Sequence, residues 1–186
     1  MRIFILDNYD SFTYNLYHIT ALYADEVVVK RNDAFNISEI EAFDKVIISP
    51  GPGLPKDVPV LNQVFSRYQQ KEILGVCLGH QALAEYAGGE LFNMKIPIHG
   101  QSRDSILIKK DTLFQDVPQR FAFGRYHSWA VARNRLPQSL EILAEDDDGV
   151  IMALKHKTYP FSSVQFHPES VLTPWGRKIL KNWVTG

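Results

Sequence analysis

At 186 residues the chain is the size of one domain, long enough to bury a substantial core and cramped for two, so residues 1–186 are expected to form a single unit. Its 20 basic and 21 acidic residues leave a net charge of -1, which gives no general attraction to nucleic acid or to an acidic membrane surface. One cysteine excludes an internal disulfide, no apolar run approaches the ~20 residues that span a bilayer, and the opening Arg2-Ile-Phe-Ile-Leu6 is strand-like, not secretory, so a soluble, cytoplasmic protein is expected.

The first half alternates between strand and helix patterns. Apolar runs over 2–6, 26–31, 45–49 and 73–76 read as strands, and 12–24, 59–70 and 81–87 read as helices. Such alternation predicts an α/β fold, an open, mainly parallel, twisted sheet with helices on both faces. Ligands of such sheets gather at the carboxyl ends of the strands, where Asp7, Pro50 and Cys77 fall. After Gly88-Gly89 come short β-rich pieces over 90–94, 105–108, 126–132, 140–144, 150–154 and 162–166, which predict an antiparallel extension of the sheet. Asp146-Asp147-Asp148-Gly149 between two of them has the composition of a hairpin turn, a far commoner meaning than a metal site. Thr173-Pro174-Trp175 reads as the capped start of a helix running to 184.

Three stretches carry reactive chemistry. Gly75-Val-Cys77-Leu-Gly79 puts the cysteine at a strand-to-helix junction, between glycines that permit a sharp turn and an outward side chain. The N-terminus of the following helix would favour thiolate over thiol. His167-Pro-Glu169 places an imidazole and a carboxylate two residues apart, on one side of an extended chain, where the carboxylate orients the ring and stabilises its charged form. Ser49-Pro-Gly51-Pro52-Gly53-Leu-Pro55 can form neither helix nor regular ladder and holds main-chain N–H groups for a ligand; with the N–H of Leu78 it could build an oxyanion hole. A lone cysteine is most often a small buried hydrophobe, and a histidine near a strand end is usually structural. The joint occurrence of the two motifs in one chain shifts that balance. His80, adjacent on the helix, faces a different way from Cys77 and is left out of the set.

Together with Asp7-Asn-Tyr-Asp-Ser-Phe-Thr-Tyr-Asn15 and Tyr126-His127-Ser128, these stretches resemble a class I glutamine amidotransferase over essentially the whole chain. More narrowly they resemble the glutaminase subunits of anthranilate synthase and aminodeoxychorismate synthase. The resemblance implies a flavodoxin-like fold, Cys77 as nucleophile, His167 as base and Glu169 as its orienter, with main-chain oxyanion donors at Gly51 and Leu78. It implies that L-glutamine is held by Gly51, Pro52, Gly53, Gln81 and the main chain at Ser128 and Trp129, with no metal and no cofactor. It further implies that ammonia is channelled to a chorismate-binding synthase subunit, contacted by the Asp7 to Asn15 segment, to make anthranilate or, alternatively, aminodeoxychorismate. A stand-alone cysteine hydrolase of γ-glutamyl substrates is the more distant alternative. Two positions depart from the family pattern: Trp129 stands where leucine is usual, and Gln101 where lysine is usual, in His99-Gly100-Gln101.

Overall fold

The computed structural model describes residues 1–94 and 100–186, so His99 lies outside the described residues. The first half runs β1 (Arg2–Asp7), α1 (Thr13–Thr20), β2 (Glu26–Arg31), β3 (Lys45–Ile48), α2 (Val60–Arg67), β4 (Glu72–Val76) and α3 (Leu78–Tyr86). The second half adds β5 (Leu91–Asn93), β6 (Gln101–Leu107), β7 (Arg120–Arg125), β8 (Trp129–Val131), β9 (Leu140–Asp146), β10 (Ile151–His156), β11 (Phe161–Val164) and α4 (Gly176–Thr185). Among the described residues nine strands form one sheet, in the order β2-β1-β3-β4-β11-β10-β9-β6-β7. The strands from β2 to β11 pair in parallel, and those from β10 outward are antiparallel. This is the mixed sheet expected from the change of pattern after residue 89.

The two-residue period of the strands explains why both faces are covered. Along β1, Ile3 and Ile5 enter one apolar layer with Leu16, Ile179, Leu180 and Trp183, under α1 and α4. Phe4 and Leu6 enter the other with Leu61, Val64, Phe65 and Leu83, under α2 and α3. Each such side chain stabilises the fold by about 1.5–3 kcal/mol on full burial, which is why the inner strands carry unbroken apolar runs. Among the described residues no helix is long and apolar enough to cross a membrane.

Several elements differ from expectation. β7 gives no clear strand signal, because Arg120-Phe-Ala-Phe-Gly-Arg125 begins and ends in a charge. Phe121, Phe123 and Arg125 alternate inward, and the Arg125 guanidinium is buried with the Asp146 carboxylate 3.5 Å away. The segments at 90–94 and 126–132 do not extend the main sheet; β5 and β8 pair with each other, Asn93 opposite Trp129. Helix α1 stops at Thr20, whose hydroxyl hydrogen-bonds back to the Leu16 carbonyl, and α3 starts three residues earlier than expected, at Leu78. The Asp146 to Gly149 stretch does make a turn: Asp146 Oδ1 accepts the N–H groups of Asp148 at 3.0 Å and Val150 at 2.8 Å. Thr173 is not a helix cap. Its hydroxyl donates to the His167 carbonyl at 2.7 Å and accepts the Gly124 N–H at 3.0 Å, tying the loop after β11 to β7.

Candidate active site

Cys77 occupies the single residue between β4 and α3, with φ 49° and ψ -94°. A non-glycine residue held there costs on the order of 1–3 kcal/mol, and the surrounding backbone enforces it. The Cys77 N–H donates to the Val164 carbonyl at 2.9 Å and its carbonyl accepts the Gln81 N–H at 3.1 Å. The flanking glycines are needed because backbone meets backbone. A Cβ on Gly75 would lie 2.4 Å from the Gly79 carbonyl oxygen, and one on Gly79 would lie 2.6 Å from that of Ile48. The glycine-x-cysteine-x-glycine spacing is therefore a packing requirement of the turn, and it leaves the thiol 8% exposed.

The loop after β3 lies against this turn. Asn8 grips it from β1: its N–H donates to Ser49 Oγ and its side-chain amide to the Ser49 carbonyl, both at 2.9 Å. A Cβ on Gly51 would meet Asn8 Cβ at 2.5 Å and Leu78 Cδ2 at 3.0 Å, so Gly51 packs against the Leu78 side chain. Pro52 and Gly53 are exposed, and Gly53 turns with φ 79°.

From the neighbouring strand end, β11 delivers Gln165, His167 and Glu169, two residues apart along the chain. The intervening Phe166 is driven into the core against Phe121 and Phe123. His167 Nδ1 lies 2.6 Å from Glu169 Oε1, and the ring interacts electrostatically with Cys77. Burial alone would discharge His167. The charge of Cys77 and the hydrogen bond and charge of Glu169 outweigh that penalty and hold the imidazole well above its usual 6.5. The Tyr126 ring packs edge-on against the imidazole with centroids 4.9 Å apart, and its hydroxyl lies 2.9 Å from Ser170 Oγ. His80 is elsewhere: fully buried, with Nδ1 2.9 Å from Ser163 Oγ and its pKa pushed down to about 3, chiefly by burial and then by nearby His127.

Gln81, on the first turn of α3, donates to the Trp129 carbonyl at 2.9 Å and to Gln165 Oε1 at 3.3 Å. Trp129 also receives His127 Nδ1 at 2.8 Å on the same carbonyl, and the Ser128 carbonyl accepts the Met94 N–H at 2.8 Å. The β8 segment is thus linked to Cys77 by its backbone, through Gln81 and Gln165, and this link makes no demand on the Trp129 indole. Gln165 is a site residue that the sequence motifs do not single out. Its signal is a polar residue between Val164 and Phe166, two positions before His167 and hence on the same side.

A thiol on a strained strand-to-helix turn, an imidazole on it and a carboxylate on the imidazole are the parts of a nucleophile, base and orienter set. The family model for class I glutamine amidotransferases matches residues 4–186. The chain belongs to that family. It is 40% identical to anthranilate synthase component 2 of Methanothermobacter thermautotrophicus, over 98% of this chain and 97% of that protein. It is 39% identical to aminodeoxychorismate/anthranilate synthase component 2 of Bacillus subtilis, over 98% of this chain and 95% of that protein. Among solved structures, a Thermoplasma acidophilum protein provisionally assigned to GMP synthase has the same fold, with TM-score 0.89 at 22% identity, covering 100% of this chain and 92% of that one. This glutamine amidotransferase presents Tyr9, Phe12 and Tyr14 to solvent at 50%, 46% and 59% exposure, whereas Asp7, Asn8 and Thr13 of the same segment are buried scaffold. The Phe12 ring is 6.4 Å from that of Tyr126, which places Phe12 beside the site.

Proposed function

We propose that this glutamine amidotransferase is a glutaminase subunit that uses Cys77, His167 and Glu169, and that it passes ammonia to a chorismate-binding synthase subunit making anthranilate. The observation that carries the proposal is the convergence of the strained Cys77 turn with the His167–Glu169 pair at 2.6 Å. The Cys77 thiolate attacks the γ-carboxamide carbon of glutamine. Main-chain N–H groups at Gly51 and Leu78 take the developing oxyanion, and charged His167 gives its proton to departing ammonia, leaving a glutamyl thioester. His167 then takes a proton from water, whose attack expels the sulfur and releases glutamate, while Glu169 holds the ring. Gly51, Pro52, Gly53, Gln81 and the main chain at Ser128 and Trp129 hold the substrate, and the exposed aromatic strip of Tyr9, Phe12 and Tyr14 meets the synthase subunit.

The test is to mix the chain with a chorismate-using synthase subunit, chorismate and amide-labelled glutamine, and to identify the labelled amine product. Cys77→Ser should keep the fold and partner binding, lose glutamine-dependent turnover, and leave turnover with added ammonia intact. Undiminished glutaminase activity in that variant would sink the assignment. The Bacillus subtilis relative, named for both products, favours a second reading in which the same chain also serves aminodeoxychorismate synthesis. Label appearing only in aminodeoxychorismate would select that product over anthranilate.

A further inference from the structure

Gln165 Nε2 donates to the Cys77 sulfur at 3.6 Å, and a charged His167 and a charged Cys77 favour one another. A neutral thiol sulfur accepts such a donor only weakly, whereas a thiolate takes a charge-assisted hydrogen bond from it. Gln165 is fully buried, and its backbone is fixed because its N–H donates to the Met152 carbonyl at 2.8 Å. Its side chain is aimed from behind: Oε1 accepts from Gln81 Nε2 at 3.3 Å, and Gln81 Nε2 is itself fastened to the Trp129 carbonyl at 2.9 Å. With Oε1 so occupied, the amide must turn its N–H₂ toward the sulfur. Three polar groups are thereby threaded through an apolar interior with no reason in packing, since a methionine or leucine would fill the place of Gln165 without needing partners.

We propose that Gln165 is a further catalytic residue, an N–H donor to the Cys77 sulfur held in aim by Gln81. It stabilises the thiolate before attack and again when water expels it from the glutamyl thioester, so it acts at both ends of the cycle. The inference rests on Cys77 being the nucleophile. Hydrogen bonds to charged groups are strong enough that losing this one shifts a rate about tenfold or more.

The experiment measures alkylation of Cys77 by iodoacetamide in the full chain, without glutamine, at about pH 6.5 and about pH 9.5, alongside glutaminase kcat and KM. Gln165→Met should slow alkylation about tenfold at the lower pH and little at the higher, where the thiolate forms unaided, and should lower kcat more than it raises KM. A general loosening of the core would not produce a defect that alkali repairs. Gln165→Asn keeps the amide but falls a methylene short of the sulfur, so it should behave like Gln165→Met; it replaces that variant if a cooperative melt is lost. Gln81→Met removes the aim and leaves position 165 intact, and it should slow alkylation at the lower pH as well. Wild-type rates at both pH values in the folded variants overturn the role of Gln165. A wild-type Cys77 that resists iodoacetamide at the lower pH overturns the nucleophile itself.

Discussion

His167 and His80 show how one residue type is pushed in opposite directions by its neighbours. His167 carries its raised pKa because Cys77 and Glu169 offset burial, so the charged ring is present below its folded pKa and lost as pH rises through it. Glu169→Gln removes one of the raising partners. The alkaline fall of glutaminase kcat/KM should move to lower pH, and the rate at its optimum should drop roughly a hundredfold or more, as measured by a pH profile of glutamate release. An unmoved alkaline limb would deny Glu169 its role. His80 is the reverse, buried neutral with its pKa pushed down to about 3 from the usual 6.5. Its unfolded form binds a proton that the folded form refuses, so stability falls as pH drops below about 6.5, by up to about 1.4 kcal/mol per pH unit. His80→Asn should flatten that slope in urea unfolding between about pH 6.5 and about pH 5; an unchanged slope would assign the acid loss to other groups.

At the scale of elements, the site depends on β4, α3 and β3 meeting with almost no space between their backbones. In Gly79→Ala the new methyl would sit 2.6 Å from the Ile48 carbonyl and 3.0 Å from Ile48 Cβ, neither of which is the free end of a flexible side chain. Either α3 moves away from β3 or the turn at Cys77 relaxes. We expect a loss of about 2–4 kcal/mol in denaturant unfolding, together with a fall in glutaminase activity larger than the melt explains. A variant as stable as wild type would mean that the turn has slack. Thr173 works on a similar scale from the other side, bracing the His167 loop against β7 through its two hydrogen bonds.

For the whole molecule, the main apolar surface feature near the site is the exposed aromatic set of Tyr9, Phe12 and Tyr14. Tyr14 is 59% exposed and meets Tyr17 with ring centroids 6.1 Å apart, so truncating it removes no core contact. Tyr14→Ala should leave the melt and Cys77 alkylation unchanged but weaken binding of the synthase subunit by roughly thirtyfold, the effect of about 2 kcal/mol at an aromatic anchor, as read by titration calorimetry. Binding at wild-type strength would remove Tyr14 from the interface. Tyr126 lies between Phe12 and the base, with the Phe12 ring 6.4 Å away on one side and the His167 ring 4.9 Å away on the other.

By itself the sequence determined the alternation that makes a parallel sheet, the tight turn at Cys77, and the pairing of His167 with Glu169. Each of these is local: period, glycine spacing and a two-residue separation are properties of a few neighbouring residues. Only the tertiary structure decided what depends on distant segments meeting. It showed β7 as a strand because Asp146, from β9, neutralises Arg125; it moved 90–94 and 126–132 into their own sheet; and it turned Thr173 from a cap into a brace. It also revealed Gln165, separated from Cys77 by 88 positions in the chain yet donating to its sulfur. A buried polar side chain has meaning only through its partner, and the partner is chosen by packing.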